Sequence, residues 1–510
     1  MMKILKMALR ALMHYKMYNL INLLGLALSL ACVIIIARYV HGELTVEQFN
    51  RQADRIYITT TEDSNNPGKI RYAGITNWNN EKAFRDLSEH SGVERHALFY
   101  REKEMDIQVD SRTYSTDVLI ADTNYLQTVD YPVIAGVANL TRPEDAFITE
   151  ACAEKFFGRE NPVGKKLLFA SINRELTVAG VIGKPRTKTL QPFDLLVSSQ
   201  LQERWMRMPQ SLVLLYPGVN YRDINEQYSE FMEMVNWGYG VRYRLHPYRD
   251  VYFDRQVEDY HGYLHGNRTY VFVLSAVGIL LLLTGILNYM NIYTVVILRR
   301  NREFGLKKVF GAEGRLVFAQ LLFENLYLIT ASLLLAFGLV AAAGPVIQRF
   351  FEFEQYPDAA FDGWLALSLL LLLPILTGLA PYLRYRHAPP VQSLRAVATG
   401  GKSLFSRRFF LCFQYFITLT LIAVSLFFVK QLHFMLHKDL GYRTQNLVKA
   451  TFLKNDHMRT WDSREDRISE EEKRKRISDR LKQKLDASPL VESWTWGQSP
   501  NKAAGTFEFK

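Results

Sequence analysis

Long apolar runs alternate with polar blocks along this chain, and the runs are too long and too uniform for a soluble core. Five of them contain no Asp, Glu, Lys or Arg: Met17–Ala37, Thr269–Leu298, Leu326–Gln348, Gly363–Leu383 and Phe409–Val429. A helix needs ~20 mostly apolar residues to cross the hydrocarbon of a bilayer, whereas helices of soluble domains show a polar face. The pattern predicts five membrane-spanning helices. The second run, as a helix, extends ~45 Å against a hydrocarbon core of ~30 Å, so one end is expected to protrude towards the domain before it. Glu324 moves the start of the third span to Leu326, because a charge at mid-membrane costs ~3 kcal/mol. Residues 313–325 then form a cytoplasmic or interfacial helix continuous with that span.

Arg38 and Tyr39 follow the first run where a cleaved signal would carry small residues, so this run reads as an anchor. Ahead of it, Lys3, Lys6, Arg10 and His14 share one helical face, opposite Leu5, Ala8, Leu9 and Leu12. A helix lying in the interface and an extension of the first span account for this equally well.

The polar block 41–268 mixes helix and strand signals. Trp78–Glu89 and Thr149–Phe157 read as helices, the second capped by Thr149 and ended by Gly158. Leu176, Val178 and Gly180–Ile182 read as a strand after the turn-like Asn173-Arg174. A block of this length can bury a core of its own as an α+β domain. The order of basic flank, apolar span and polar exit seen over residues 10–60 recurs from Arg407 past Gln431. A second exported domain is therefore expected to begin near Gln431 and to be cut short at Lys510, with Ser463–Leu485 as a solvated helix. The fold class expected is an α-helical integral membrane protein of five spans, with an exported α+β domain and the start of another.

The net charge of +11 matters through its placement. Lys3, Lys6, Arg10 and Lys16 precede the first span; six bases lie in Arg299–Arg315; and Arg384, Arg386, Arg395, Lys402, Arg407 and Arg408 precede the fifth. Between the third and fourth spans Arg349 faces Glu352, Glu354, Asp358 and Asp362. The positive-inside rule puts the three basic segments in the cytoplasm, and residues 41–268 and the C-terminus outside. The basic excess is thus topological and implies no nucleic-acid partner.

Catalytic and metal chemistry find little support. Cys32 and Cys412 lie in apolar runs, which leaves Cys152 alone in the exported domain without a disulfide partner. His261 and His265 have i, i+4 spacing but no HExxH context. Gly158–Lys166, Gly180–Lys184 and Gly401-Lys402-Ser403 each lack part of a phosphate loop, which needs its amide cradle, lysine and hydroxyl together. No catalytic residue, metal site or bound cofactor is expected.

The charged interruption RRNREFGLKKVFGAEGR, Arg299 to Arg315, is the strongest candidate site. Leu306, Val309 and Phe310 share a face at i, i+3, i+4, and Gly311 is placed to end the helix. A short amphipathic helix with this face suits either the groove of a cytoplasmic partner or burial in lipid. Asn288 and Asn291 are polar groups inside the second span and suit interhelical hydrogen bonding or the lining of a path. Pro374, Gly378 and Pro381 predict a kink in the fourth.

REFGLKKVFGA resembles the signature REIGIRKALGA of the FtsX-like permease domain found in MacB-type ABC transporter permeases, and the flanking LNYMN and LLFEN fit the same family. NRQADRIY, EKFFGRENPVGKKL, TVAGVIGKP and FDLLVSS are similar to the MacB-type periplasmic domain. LAPYLRYRHAPPVQSLR resembles the end of the fourth span, and LGYRTQNLV the entry to a second exported domain. Nearly the whole chain is covered, and it looks most like the fused two-unit permeases of Bacteroidetes-type bacteria, C-terminally incomplete.

The resemblance implies that the loop docks on a separate ATPase through Glu303, Phe304, Gly305, Leu306, Lys307, Lys308, Gly311 and Ala312. Phe304 and Leu306 stand where the family often has isoleucine, and Lys307 where it often has arginine. It further implies mechanotransmission: ATP is used by the partner ATPase, the spans move, and the exported domain handles substrate for efflux or extraction. The partners expected on this ground are the cytoplasmic ABC ATPase, a second permease unit in trans or a second copy, a periplasmic adaptor and membrane lipids, all at the bacterial inner membrane. The competing expectation is a membrane-anchored regulator or scaffold that activates an envelope partner.

Overall fold

A computed structural model describes residues 16–137, 139–201, 209–233, 239–257, 263–300, 303, 306, 309–311, 314–351, 358–387, 401–438, 464–492 and 494. The N-terminal amphipathic segment 3–14, His261 and the LGYRTQNLV segment lie outside the described residues.

Helix α1 (Lys16–Leu44) leads into the periplasmic-type domain, whose short helices are α2 (Asn77–Ser88), α3 (Tyr125–Thr128), α4 (Glu150–Phe157) and α5 (Tyr221–Gln227). Then come α6 (Arg268–Arg299), α7 (Gly314–Phe351), α8 (Ala359–His387), α9 (Gly401–His437) and the charged α10 (Arg464–Asp486). Among the described residues, α1, α6, α7, α8 and α9 are long and apolar enough to cross a membrane. The region 313–325 and the third span form one uninterrupted helix from Gly314, as the sequence suggested.

Helices α1, α6, α7 and α8 share one core. Leu26, Leu30 and Ile34 of α1 meet Tyr289 and Tyr293 of α6, Leu321, Ile329 and Leu333 of α7, and Leu369 and Leu373 of α8. Lipid offers no hydrophobic drive for helices to associate, so close approach and polar contacts must hold them. Both are present between α1 and α6. Ser29 Oγ donates to the Leu281 carbonyl at 2.8 Å, and a side chain at Gly285 would run into Ser29. Helix α9 stands outside this core and buries Ile417.

The domain between α1 and α6 is built on a 12-stranded mixed sheet. Its main path runs β11 (Met232–Glu233), β12 (Gly240–Pro247), β1 (Ile56–Asp63), β10 (Gln210–Leu215), β3 (Val93–Val109), β4 (Arg112–Ala121), β9 (Leu195–Ser198), β6 (Asp145–Thr149), β8 (Arg174–Ile182) and β5 (Val133–Gly136). Off this path, β2 (Ile70–Tyr72) pairs with β1, and β7 (Lys166–Phe169) pairs with β3 and β8. Pairs β4–β9 and β6–β8 are parallel; the others are antiparallel. Residues along β8 alternate between buried and half-buried over Leu176–Ala179, as a strand with one covered face requires.

Local signals account for the ends of these elements. Thr149 accepts the Cys152 N–H at 3.3 Å at the start of α4, and Gly158 closes that helix in the left-handed region at φ 62°. Asn173 makes the turn into β8 at φ 50°, a conformation asparagine tolerates better than most residues. Helix α2 begins one residue before the stretch read from sequence and ends one before it, with a kink at Asn80.

Candidate coupling site

At the end of α6 the chain leaves the helix at Arg300 and turns towards α7. The charge count over this stretch treats Arg300 as one topological cation among six, but the structure buries it, with its side chain 4% exposed. Its guanidinium grips two carboxylates. Nη1 and Nη2 donate to Glu324 of α7 at 2.7 and 3.1 Å, and Nε and Nη2 donate to Glu303 at 3.0 and 3.3 Å. Gln320, one turn before Glu324 on α7, adds a bond to the same carboxylate at 2.8 Å.

This arrangement explains how α7 carries an acid at the edge of a membrane span. A lone carboxylate would be strongly unfavourable there, whereas a forked arginine satisfies two oxygens with parallel charge-assisted bonds. The layer beneath is also polar. Tyr289 of α6 donates to Asn325 Oδ1 at 2.6 Å, and Tyr289 stacks on Tyr293 with ring centroids 5.7 Å apart. On α8, a side chain at Gly378 would press on the Asn325 amide, at 3.3 Å. The end of α6, the segment after it and the start of α7 are thus fixed to one another by named bonds.

Of the residues singled out from sequence, Glu303 is brought into this cluster. Leu306, Val309, Phe310 and Gly311 are exposed on the segment beyond it. The Phe310 N–H donates to the Leu306 carbonyl at 3.0 Å, and Gly311 takes φ 75°, which ends the helical turn. Phe310 is 85% exposed, so the apolar face finds no cover among the described residues. Phe304, Gly305, Lys307, Lys308 and Ala312 lie outside the described residues. Asn291 donates to Gln414 of α9 at 3.2 Å, and the Asn288 amide packs where a side chain on Gly25 of α1 would sit, 3.1 Å away.

Sequence reasoning missed Arg300, Gln320, Glu324 and Asn325 as members of one cluster. The signal was present: an acid at the start of a span needs a counter-ion, and Arg300 ends the preceding span at the same membrane face.

At the opposite end of the bundle, Arg38 of α1 makes two bonds to Asp362 of α8 at 3.0 and 2.7 Å. His41 reaches Asp358 at 3.3 Å and stacks on Phe361 with centroids 4.0 Å apart. The acidic residues between the third and fourth spans therefore meet the basic end of the first. Among the described residues no group of three or more His, Cys, Asp or Glu side chains is placed to hold a metal ion.

Two family models match the chain. The FtsX-like permease C-terminal model covers residues 275–390, and the MacB-like periplasmic core domain model covers residues 20–230. Solved structures with similar folds include a domain assigned to a permease protein from Porphyromonas gingivalis, 22% identical over 44% of this chain and 99% of that one, with a TM-score of 0.33. The periplasmic region of MacB from Actinobacillus actinomycetemcomitans is 16% identical over 33% of this chain and 79% of that one, with a TM-score of 0.26. The extracellular domain of the noncanonic ABC-type transporter YknZ from Gram-positive bacteria is 13% identical over 38% of this chain and 99% of that one, with a TM-score of 0.27. No curated protein matches the sequence.

An FtsX-like permease domain following a MacB-like periplasmic core defines a transporter permease subunit of the inner membrane. The chain belongs to the MacB/FtsX-like ABC permeases, a family whose members work with an ABC ATPase.

Proposed function

We propose that this chain couples ATP hydrolysis by a separate cytoplasmic ATPase to work on a substrate outside the membrane, by mechanotransmission. Residues 303–312 form the docking element, facing the cytoplasm with the other basic segments, and α6 and α7 carry the movement outward. The observation that carries this reading is the grip of Arg300 on both Glu303 and Glu324. A push on the exposed segment is passed to α7 through a dry ion pair, and to α6 through the backbone next to Arg300. The exposed Leu306, Val309 and Phe310 supply an apolar face for the partner's groove. In this reading the chain binds no cofactor, and ATP and its magnesium belong to the partner.

The test is a mild-detergent pull-down of the tagged chain from its native membrane, with the double variant Glu303→Lys, Lys307→Glu alongside. Stoichiometric ATPase with the parent chain, and its loss in the variant while the bundle stays folded on the Arg300–Glu324 pair, is the expected result. Full ATPase retention by the double variant removes the docking assignment. Recovery of an envelope protein and no ATPase with the parent chain would make it an anchored regulator.

A further inference from the structure

A second junction lies where the periplasmic domain meets the bundle. The chain runs from the end of α1 at Leu44 to β1 at Ile56, and returns from β12 to α6 through residues 248–267. Both connections converge on one short loop, Thr187–Gln191, between β8 and β9. On the α1 side, the Glu47 N–H donates to the Lys188 carbonyl at 2.8 Å and the Phe49 N–H to Thr187 Oγ1 at 3.0 Å. Thr189 Oγ1 and the Leu190 N–H both donate to Glu47 Oε1, at 2.8 and 2.6 Å. On the α6 side, the Leu264 N–H donates to the Leu190 carbonyl at 2.9 Å.

One side chain of the loop binds both connections. Lys188 Nζ donates to Glu43 Oε1 in the last turn of α1 at 2.9 Å and to Tyr252 Oη at 2.8 Å. Tyr252 in turn donates to Glu43 Oε2 at 2.7 Å, which closes a three-membered ring of bonds. Tyr252 is itself fixed to the approach to α6: its carbonyl accepts the Gly266 N–H at 2.8 Å, and any side chain at Gly266 would collide with its ring. Glu43 and Tyr252 are buried, so these charge-assisted bonds act at low dielectric. Glu47 holds φ 61°, a conformation that costs a non-glycine residue ~1–2 kcal/mol and persists where its surroundings over-determine it.

We infer that Lys188 is a positioning residue of the transport cycle, pinning the outward end of α1 and the approach to α6 to a single loop of the periplasmic domain. Relative movement of the two helices is thereby delivered to the β8–β9 loop, hence to the parallel pairs β6–β8 and β4–β9 at the far side of the sheet from β1. The inference rests on the ATP-driven movement proposed above.

The test uses the full chain in complex with its ATPase, native cysteines replaced by alanine, carrying two alternative pairs of spin labels. An inner pair at Leu316 and Phe409, both exposed and outside the docking face, reads the cytoplasmic ends, and an outer pair at Val137 and Trp364 reads the sheet against the bundle. Distances are measured by double electron–electron resonance with and without magnesium and a non-hydrolysable ATP analogue. In the parent chain both distances shift on nucleotide binding. Lys188→Met keeps the inner shift and loses the outer one, and Lys188→Arg restores it. Tyr252→Phe, which keeps the ring against Gly266 and removes only the hydroxyl, reduces the outer shift and serves where Lys188→Met does not accumulate. An undiminished outer shift in Lys188→Met or in Tyr252→Phe overturns the pin. Absence of any shift in the parent complex removes the mechanotransmission reading and this inference with it.

Discussion

The bundle carries a forked arginine–carboxylate pair at each end, and the two differ in water. Arg300 and Glu324 are 4% and 2% exposed, whereas Arg38 and Asp362 are 23% and 19% exposed. The bond lengths are nearly the same, with a shortest contact of 2.7 Å in each. Geometry therefore does not distinguish them; solvation does. A dry pair costs several kcal/mol to desolvate and tolerates no loss of a partner, while a half-wet pair can replace a lost partner with water. The inner pair fixes register between the segment after α6 and α7. The outer pair is a tether that can open. Glu47 supplies a third case, a buried acid with no cation among its hydrogen-bond partners.

The comparison breaks most visibly at Glu324. Replacing it with alanine leaves the Arg300 guanidinium buried with only Glu303 to face it, and a loss of ~3–5 kcal/mol is expected in denaturant unfolding of the detergent-solubilised chain. A loss below ~1 kcal/mol would mean that water reaches the inner pair as it does the outer one.

Next comes Glu47, whose carboxyl burial pushes up to about 7 from an ordinary 4.5. Hydrogen bonds from Leu190 and Thr189 pull the other way and do not prevail. The buried groups facing it are phenols: Tyr125, Tyr131 and Tyr248. A raised carboxyl stabilises the folded state below its unfolded value, and that contribution is lost as pH rises through about 7. Glu47→Gln keeps an acceptor for both bonds and removes the charge. At pH 8 the variant is expected to be more stable than the parent by up to ~3 kcal/mol, shrinking below ~1 kcal/mol at pH 5. His96, held down at about 4 by burial, loses its stabilisation as pH falls through that range. It does so in both chains, so the difference between them isolates Glu47. A gap that does not change with pH would show that Glu47 is charged throughout.

Arg38→Ala sharpens the contrast from the other side, with an expected loss of ~1 kcal/mol or less that high salt diminishes further. The smallest effect is expected from Arg300→Met with Glu324→Leu. Replacing both members of a dry pair by apolar residues of similar volume is often neutral, so stability returns to near the parent value. Loss of the ATPase at that restored stability would assign the pair to register rather than to holding the bundle together.

The spans were legible because a bilayer allows few solutions: charge-free runs of sufficient length must be helices. The cap at Thr149, the stop at Gly158 and the turn at Asn173 were legible because their causes are local. The order of the sheet was not. Ile58 lies opposite Leu212 on one side and His246 on the other, and no periodicity within β1 names partners so far along the chain. The candidate segment was found from its charge and glycines, but the cluster that holds it was not. Charge counting makes Arg300 equivalent to Arg299, although one is buried and the other exposed. Only the fold separates them, by placing Glu324 opposite one and the Tyr18 ring, 5.1 Å away, beside the other.

The position of β1 also has a consequence for biogenesis. It is the first strand exported, yet in the finished sheet it lies between β10 and β12. Neither partner exists on the far side of the membrane until the ribosome has nearly completed the domain. At a synthesis rate of ~5–20 residues per second, β1 waits on the order of ten to forty seconds with only the short β2 available to pair with Thr60–Glu62. Its second partner, β12, ends at Pro247, shortly before α6 begins at Arg268. Completion of the sheet and arrival of the second hydrophobic helix at the translocon thus fall almost together. The nascent chain needs shelter by periplasmic holdases, against proteases, only until that moment, when the sheet closes outside while α7, α8 and α9 are still to follow α6 into the membrane.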